Sequence, residues 1–268
     1  MLKPFSKYNK GEILNLKNKL KHYYDNIKDY SAFKTISNHT LQWDLIKKDI
    51  VKKKRKIRIL EVGAGRTGFY SYLKKNKLKN KVFFYAHDIT SQNSNFLKKN
   101  SNKVILGDLN KNKIKYKFEI IFLTHVLEHV VEPKKLLDRI YNLLDKRGSV
   151  YIFCPRYDFI LYLSPSSRHL NLYKKINLIL LRLFYRILRL MTGKPNFLIH
   201  NDIAAFYINK FFTDCDAIHW VSKKDIEYWA NSKKLKIKSF NFGQYTNKIS
   251  KDYIVKKFLT ISFKLTKN

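Results

Sequence analysis

The sequence is poor in the residues that mark several common protein classes. Its 268 residues include 2 cysteines, 8 glycines and 5 prolines. Two cysteines cannot build a disulfide framework, and Cys154 and Cys215 lack the spacing of a metal site. The low glycine and proline content excludes collagen-like chains, and a hydrophobic content of 45% excludes a disordered one. We therefore expect a folded protein of a reducing compartment, with a cytoplasmic location.

Long apolar runs are also missing. The first residues contain no apolar signal-peptide core. The most apolar stretch, 176–191, is interrupted by Arg182, Arg186 and Arg189. A membrane-spanning helix needs about 20 predominantly apolar residues without such interruptions. We therefore expect a chain that is either soluble or peripheral at the inner surface of a membrane.

Acidic residues are scarce, with 20 against 55 basic ones, which gives a formal net charge of +35. An excess of this size often indicates nucleic acid or an anionic membrane as a partner. Only 10 of the basic residues are arginine, the residue suited to bidentate phosphate recognition, and the lysines are scattered from Lys3 to Lys267. We interpret the excess as the compositional bias of an AT-rich genome and expect no specific nucleic-acid partner.

Apolar strands alternate with helices through the middle of the sequence. Strands are predicted at 57–62, 81–87, 104–106, 118–123, 149–154, 235–242 and 258–265. Pro133 fits the first position of the helix before the fifth strand, and the cations and glycine at 146–148 are predicted to close it. Fully apolar strands that alternate with helices indicate a parallel sheet covered on both faces. The predicted fold is α/β, a doubly wound, Rossmann-like sheet of seven mostly parallel strands.

A glycine-rich turn follows the first predicted strand. Gly63, Gly65 and Gly68 satisfy the pattern G-x-G-x-x-G, and Asp88 lies 20 residues beyond Gly68 at the end of the next strand. Such a turn lets the backbone approach a ligand at a helix N-terminus, and the carboxylate can hold a ribose diol. NAD and S-adenosylmethionine both carry an adenosine ribose. The turn alone therefore allows a nicotinamide-dependent oxidoreductase as well as a methyltransferase.

The neighbouring motifs resemble those of class I S-adenosylmethionine-dependent methyltransferases, closest to the broad group of ubiquinone and menaquinone biosynthesis methyltransferases. The resemblance covers about 57–155. The matching residues are LEVGAG at 60–65, Asp88, the pair Gly107 and Asp108, and FEIIFLTHVLEHV at 118–130. The resemblance implies a Rossmann-like fold, S-adenosylmethionine as the cofactor and methyl transfer as the reaction.

The resemblance also assigns residues to the methionine and ribose parts of the cofactor. Glu61 would fix the glycine turn, and the turn residues Gly63, Ala64 and Gly65 would pass the methionine part. Asp88 would accept hydrogen bonds from both ribose hydroxyls.

The adenine and the sulfonium are assigned in the same way. Asp108 and Leu109 would border the adenine. Thr124 and His125, after the fourth strand, would lie beside the sulfonium. These positions agree with the rule that ligands bind outside the carboxyl ends of parallel strands.

Histidines are the candidate general bases. A hydroxyl or carbon acceptor must lose a proton, whereas a neutral amine need not. We predict His125 or His129 as the base, with His200 and His219 as alternatives, and a packing role stays open for the last three. No metal is expected. Cys154 stands where RNA cytosine methyltransferases carry a nucleophile, but their second Pro-Cys pair is missing here, so we predict a buried core residue.

The predicted organisation has four parts. An N-terminal helical extension (1–55) precedes the S-adenosylmethionine-binding core (56–155), a helical cap (156–216) interrupts the pattern, and 217–268 completes the sheet. In the cap, the basic residues of 171–191 form a narrow stripe beside a broad apolar surface. Two interpretations stay open, namely peripheral contact with an anionic membrane and a lid whose apolar side packs on the catalytic domain or a second subunit while the arginines are solvated.

The sequence thus predicts a methyltransferase that acts on a small-molecule, lipid or sugar acceptor. Three alternatives stay open, namely an RNA methyltransferase that uses the basic surface, a nicotinamide-dependent oxidoreductase and a catalytically silent binding module. A lipid-linked acceptor would agree with membrane contact through 171–191. The sequence does not indicate the oligomeric state.

Overall fold

A mostly parallel sheet forms the centre of the computed structural model, which describes residues 1–27, 34–159, 162–245 and 250–268. The strands in these residues are β1 (Leu2–Pro4), β2 (Ile57–Val62), β3 (Val82–Asp88), β4 (Lys103–Leu106), β5 (Phe118–Thr124), β6 (Leu144–Pro155), β7 (Leu198–His200), β8 (Lys236–Ser239) and β9 (Thr260–Thr266). The large sheet has seven strands in the order β4-β3-β2-β5-β6-β9-β8. The first five are parallel, and β9 runs antiparallel to both β6 and β8. The predicted fold class is confirmed.

Helices flank the sheet, and several begin at a residue whose side chain accepts one of the first N–H groups. The α-helices of the described residues are α1 (Lys10–Asn26), α2 (Thr40–Val51), α3 (Phe69–Lys75), α4 (Ser94–Lys99), α5 (Pro133–Leu143), α6 (Leu172–Thr192), α7 (Lys223–Ser232) and α8 (Lys251–Phe258). Asn9 and Glu12 form a capping box at α1, Asn171 caps α6, and Ser222 caps α7. Pro133 occupies the start of α5, as predicted.

Both faces of the sheet are buried, which explains why its central strands are apolar at nearly every position. Along β2, Ile59 packs in the cluster that contains Trp43 of α2. The next residue, Leu60, packs in the cluster that contains Leu137 of α5 and Trp229 of α7. Successive side chains of a strand point to opposite faces, so a strand covered on both sides needs an apolar residue at each step.

The boundary between α5 and β6 differs from the prediction. The helix ends at Leu143, and Leu144 already pairs with Phe118 of β5, so residues 146–148 belong to β6 instead of closing the helix. The ladder shifts register between Phe118 and Ile120. A Cβ atom at Gly148 would lie 3.0 Å from the carbonyl oxygens of Phe118 and Asp145. Gly148 therefore permits a close backbone approach inside an irregular strand.

The C-terminal part contains a helix that the sequence did not predict. Strand β8 is shorter than the predicted 235–242, and β9 begins at Thr260, after the eight-residue helix α8. The apolar residues Ile254, Val255 and Phe258 of α8 are 53%, 37% and 39% exposed. The helix has only eight residues, which is too short for its apolar spacing to stand out from the adjoining strand pattern in the sequence.

The N-terminal residues pair with the segment that precedes α7. Strand β1 runs antiparallel to β7, with Leu2 opposite His200. The sequence did not predict either strand, because three-residue strands leave no detectable period. Residues 28–33, 160–161 and 246–249, which fall in three of the four predicted parts, lie outside the described residues.

Helix α6 packs on the protein with the side that carries Arg182 and Arg189, whereas the predicted lid would pack with its apolar side. Arg182 and Arg189 are only 7% and 3% exposed, whereas Leu180 and Phe184 are 59% and 56% exposed. The expectation of a solvated arginine stripe is therefore wrong for Arg182 and Arg189, although Arg186 is exposed, and the apolar side does not pack on the described residues of this chain. Arg182 donates hydrogen bonds to main-chain carbonyl oxygens, and Arg189 pairs with Asp225. Among the described helices, none is long and apolar enough to cross a membrane.

Candidate active site

The glycine turn after β2 is fixed against the carboxyl end of β3. Gly63 and Gly65 have φ values of +68° and +52°, a left-handed conformation that glycine adopts without steric cost. The N–H of Ala64 donates to the carbonyl oxygen of His87 (2.7 Å), and the N–H of Gly65 donates to Oδ2 of Asp88 (2.8 Å). The structure therefore brings Asp88 and the turn together, as a shared ligand site requires.

The third glycine of the motif has a structural role. A Cβ atom at Gly68 would lie 2.7 Å from the carbonyl oxygen of Ser37 and 3.1 Å from the ring of Trp43. The N–H of Gly68 donates to that same Ser37 oxygen at 3.1 Å. Gly68 therefore makes room for the N-terminal segment and leaves the first two glycines to face a ligand.

Two buried carboxyl groups lie beside the turn. Burial raises the pKa of Glu61 to about 8; a hydrogen bond from Thr67 opposes the rise, and the charge of Asp88 adds to it. Oε2 of Glu61 has no hydrogen-bond partner among the described residues. Asp88 accepts hydrogen bonds from the N–H groups of Gly65 and Thr90. The site thus holds an unpaired, buried carboxyl oxygen that a ligand cation would satisfy.

The residues assigned to the adenine, Asp108 and Leu109, follow the end of β4. Gly107 has a φ of +90°, and its carbonyl oxygen lies 2.8 Å from Nε2 of the buried His87. Oδ1 of Asp108 accepts the N–H of Asn110 (2.9 Å) and so holds the following turn. The side chain of Leu109 is 1% exposed and packs in the core. Leu109 therefore does not offer its side chain to a ligand here, which limits the assigned contact to its backbone.

Sequence reasoning missed an exposed apolar residue, Ile89, which lies beside the carboxyl ends of β3 and β4. Ile89 directly follows Asp88 and is 66% exposed. Leu106, at the end of the neighbouring strand β4, is 37% exposed. Two apolar side chains at the carboxyl edge of the sheet can cover a flat aromatic ring. The sequence signal that could have identified Ile89 is its position directly after Asp88, the carboxylate that ends β3.

His125 begins the loop after β5 in a strained conformation. Its φ is +54°, and its N–H donates to the carbonyl oxygen of Phe153 (2.8 Å). Nδ1 of His125 lies 3.3 Å from Oε1 of Glu128, and the His125 side chain is 48% exposed. Burial favours the neutral ring, but the nearby Glu128 carboxylate outweighs it and raises the pKa of His125. The contact is an ion pair through which a buried carboxylate can orient a base.

The loop that carries His125 contacts the glycine turn. A Cβ atom at Gly63 would lie 2.5 Å from Cγ2 of Val126. Val126 directly follows His125, so the candidate base and the glycine turn belong to one site. Thr124 is buried, and its hydroxyl has no hydrogen-bond partner among the described residues.

His129 is held as a cation. Its Nδ1 lies 3.2 Å from Oδ2 of Asp216, and its Nε2 lies 4.0 Å from Oε1 of Glu128. Burial opposes protonation, but the charges of Asp216 and Glu128 raise the pKa of His129 to about 10. The imidazolium in turn lowers the pKa of Asp216 against the effect of burial. At neutral pH His129 has no lone pair with which to accept a proton.

A second carboxyl group reaches the cluster from the segment before α7. Burial and the charge of Glu128 raise the pKa of Asp214, against the opposing charge of His129. The hydroxyl of Tyr157 donates to Oδ2 of Asp214 at 2.6 Å. Sequence reasoning missed Asp214, Asp216 and Tyr157. No local pattern links them to residues 125–129, because only the tertiary structure brings them together.

His39 was also missed, and it lies beside His125. The two ring centroids are 5.7 Å apart. Burial and the charge of His125 lower the pKa of His39 to about 4, so His39 is neutral at pH 7. The N-terminal segment thus contributes an uncharged imidazole to the site.

The alternative bases lie in other surroundings. Nδ1 of His219 lies 2.9 Å from the carbonyl oxygen of Leu127, and burial lowers the pKa of His219 to about 4. His219 thereby supports the backbone of the histidine loop. His200 is 1% exposed and packs on Trp220, and burial lowers its pKa to about 3. Cys154 is fully buried, and burial raises the pKa of its thiol well above the usual value, as suits a core residue.

Three side chains of the cluster could approach a cation together. Glu128, His129 and Asp214 each place one ligand atom within 4.8 Å of the others. A histidine binds a metal through a neutral ring nitrogen, whereas His129 is an imidazolium paired with Asp216. In this structure His129 forms ion pairs with Asp216 and Glu128 within the cluster.

The fold is shared with several methyltransferases of known structure. The 1,6-didemethyltoxoflavin-N1-methyltransferase of Burkholderia thailandensis, solved with S-adenosylhomocysteine, has a TM-score of 0.52 and 11% identity over 96% of this chain and 88% of its own. The plantazolicin methyltransferase BpumL has a TM-score of 0.53 and 13% identity over 97% and 100%. An S-adenosylmethionine-dependent methyltransferase of Mesorhizobium loti has a TM-score of 0.51 and 8% identity over 84% and 97%. A comparison with curated proteins found no match.

The parallel sheet, the glycine turn and the strand-ending carboxylate define a Rossmann-like cofactor-binding domain. The sequence model of the methyltransferase domain family matches residues 38–199, and the chain belongs to that family. S-adenosylmethionine is the cofactor of this family. The match selects methyl transfer over the nicotinamide-dependent alternative that the glycine turn alone allowed.

Proposed function

We propose that the protein transfers a methyl group from S-adenosylmethionine to a hydroxyl of a small-molecule, lipid or sugar acceptor, with His125 as the general base. The observation that carries this proposal is the pairing of His125 with the fully buried Glu128, one residue from the contact with the glycine turn. A hydroxyl acceptor needs proton removal, whereas a neutral amine does not. The finer resemblance to ubiquinone and menaquinone methyltransferases stays a prediction.

The residues around the glycine turn fit the cofactor. The unpaired Oε2 of Glu61 suits the ammonium of the methionine part, and Asp88 has lone pairs left for the ribose hydroxyls. Ile89 offers exposed apolar surface to the adenine, and the backbone beside Asp108 borders it. When bound, S-adenosylmethionine supplies an electrophilic methyl group on a sulfonium.

The side chains of this chain then orient the acceptor and move its proton. Glu128 holds Nδ1 of His125, which leaves Nε2 of the half-exposed ring to accept the proton of the acceptor hydroxyl. His129, as a cation, balances the charges of Glu128 and Asp216. Alignment of donor and acceptor can contribute about 7–11 kcal/mol, and a positioned base adds about 10²- to 10⁴-fold.

Two variants separate cofactor binding from proton removal. His125→Gln should bind S-adenosylmethionine normally in calorimetry but incorporate radiolabelled methyl about 10²- to 10⁴-fold more slowly into the acceptor fraction of a cell extract. Asp88→Ala should lose cofactor binding, because the ribose partner and the acceptor for Gly65 N–H are both removed. His22→Gln, on an exposed residue of α1, is the matched control.

The extract should be divided into lipid, glycan, small-metabolite and RNA fractions. Label in one of the first three supports the proposal. Label in RNA alone would favour the RNA methyltransferase, and normal turnover by the His125 variant would reject the assigned base. Cofactor binding without label in any fraction would identify a silent binding module.

A further inference from the structure

Helix α6 presents an apolar face to solvent. We define the apolar face of α6 as the large hydrophobic side chains that are 48–79% exposed, namely Leu172, Tyr173, Ile176, Leu180, Phe184, Ile187, Leu190 and Met191. Most of them follow one another at spacings of three and four residues. Such spacing places side chains on one side of a helix along its whole length. A continuous exposed stripe of this kind marks an interaction surface.

The orientation of the helix is fixed by its opposite side. Leu178 and Tyr185 are buried in a cluster with Tyr157. Arg182 donates to the carbonyl oxygens of Phe159 and Tyr162 at 2.5 and 2.7 Å. A helix tied down in this way cannot roll over to bury its apolar face against its own chain. The partner of that face must therefore come from outside.

The charges around the apolar face are of one sign. Between Asp158 and Asp202 the sequence contains no acidic residue. Lys174 and Arg186 of α6 are exposed, as is Lys194, just beyond its end. The face is thus bordered by cations that have no acidic neighbour within the same stretch of chain.

We propose that α6 docks on an anionic lipid bilayer, lying in the plane of the interface with its apolar face among the acyl chains. Interfacial helices combine an apolar face with bordering lysine and arginine residues, which anionic headgroups attract. The 21-residue α6 has this arrangement, and no described helix qualifies as a membrane span. The proposal concerns a surface and does not depend on the proposed methyl transfer.

A second copy of the chain is the less favourable occupant. In a symmetric dimer the same surface meets itself, so Lys174, Arg186 and Lys194 would approach their own copies. The stretch offers no carboxylate to pair with them, and each chain carries a formal net charge of +35. The anionic headgroups of a bilayer would instead attract these lysine and arginine side chains.

Vesicle flotation tests the proposal with the full chain. We expect binding to vesicles of phosphatidylcholine and phosphatidylglycerol at about 3:1, and at least 10-fold weaker binding to phosphatidylcholine alone. The triple variant Leu180→Ser, Phe184→Ser, Ile187→Ser should bind the anionic vesicles at least 10-fold more weakly. The matched control is Leu14→Ser with Ile254→Ser, which changes residues of similar exposure on α1 and α8. Both the triple variant and the control variant should keep the thermal melting profile of the wild type.

A fluorescence variant reports contact of the face itself. Phe184→Trp should shift its emission to shorter wavelength with anionic vesicles, while Trp43, Trp220 and Trp229 are buried and stay constant. Absence of vesicle binding, or equal binding by wild type and triple variant, would overturn the proposal. A wild-type dimer in light scattering that the triple variant converts to a monomer would assign the face to a second copy and would overturn it too.

Discussion

Single residues in the histidine loop differ in protonation because their carboxylate neighbours differ. His125 has one close carboxylate, Glu128, at 3.3 Å, and a half-exposed ring. His129 has Asp216 at 3.2 Å and Glu128 at 4.0 Å, so its pKa rises to about 10. Two histidines four residues apart therefore take different roles. His125 has a raised pKa and a half-exposed ring, whereas His129 stays an imidazolium at neutral pH.

The pH dependence of turnover tests this division. The raised pKa of His125 places the acidic limb of kcat/KM above the ordinary histidine value of 6.5, so activity rises with pH through that range. Glu128→Gln removes the charge that raises the pKa, and the limb should move to lower pH while the plateau falls. The profile should be measured with labelled S-adenosylmethionine and the acceptor fraction. If the acidic limb of kcat/KM for the Glu128→Gln variant lies at the same pH as that of the wild type, a group other than His125 titrates.

At the scale of elements, the glycine turn and the histidine loop are coupled by one van der Waals contact. Gly63 combines a left-handed φ of +68° with close packing against Val126. Gly193, which ends α6, has a φ of +61° but open space around it. A substitution at Gly193 therefore tests only the cost of the left-handed backbone, whereas one at Gly63 adds the cost of a clash with Val126.

A set of alanine variants measures the two costs. Gly193→Ala should lower the free energy of unfolding by about 1–2 kcal/mol, the cost of a left-handed alanine. Gly63→Ala adds a clash worth about 1–3 kcal/mol more. Val126→Ala should relieve that clash, so the double variant Gly63→Ala, Val126→Ala should be more stable than the sum of the single changes implies. If urea unfolding shows that the effects of Gly63→Ala and Val126→Ala on the free energy of unfolding are additive, Val126 does not pack against Gly63 in solution.

For the whole molecule, the excess of positive charge opposes compactness. With 55 basic and 20 acidic residues, most lysines have no acidic partner. A large net charge destabilises a folded chain by self-repulsion, and salt screens that repulsion over a Debye length of about 8–10 Å near 0.1 M. The ion pairs among the described residues are mostly at the surface, where each contributes little.

Thermal unfolding should therefore depend on ionic strength. Raising NaCl from about 0.02 to 0.3 M should increase Tm by several degrees, because repulsion falls more than the surface ion pairs weaken. Differential scanning calorimetry at fixed pH checks this, with sucrose at matched osmolality as the control for exclusion effects. A Tm that is unchanged or lower at high salt would show that the charges are already balanced in the fold.

The sequence by itself determined the sheet and the cofactor side of the site. Apolar strands, the glycine turn and Asp88 are local patterns, and the family motifs that accompany them lie on the same strand ends. Tertiary structure decided the rest. Asp214 and Asp216 reach His129 from a distant segment, and Leu109 turns into the core. Helix α6 exposes its apolar side because Arg182 and Arg189 find partners inside. Contacts between distant segments, and the face that a helix buries, depend on packing that no local period records.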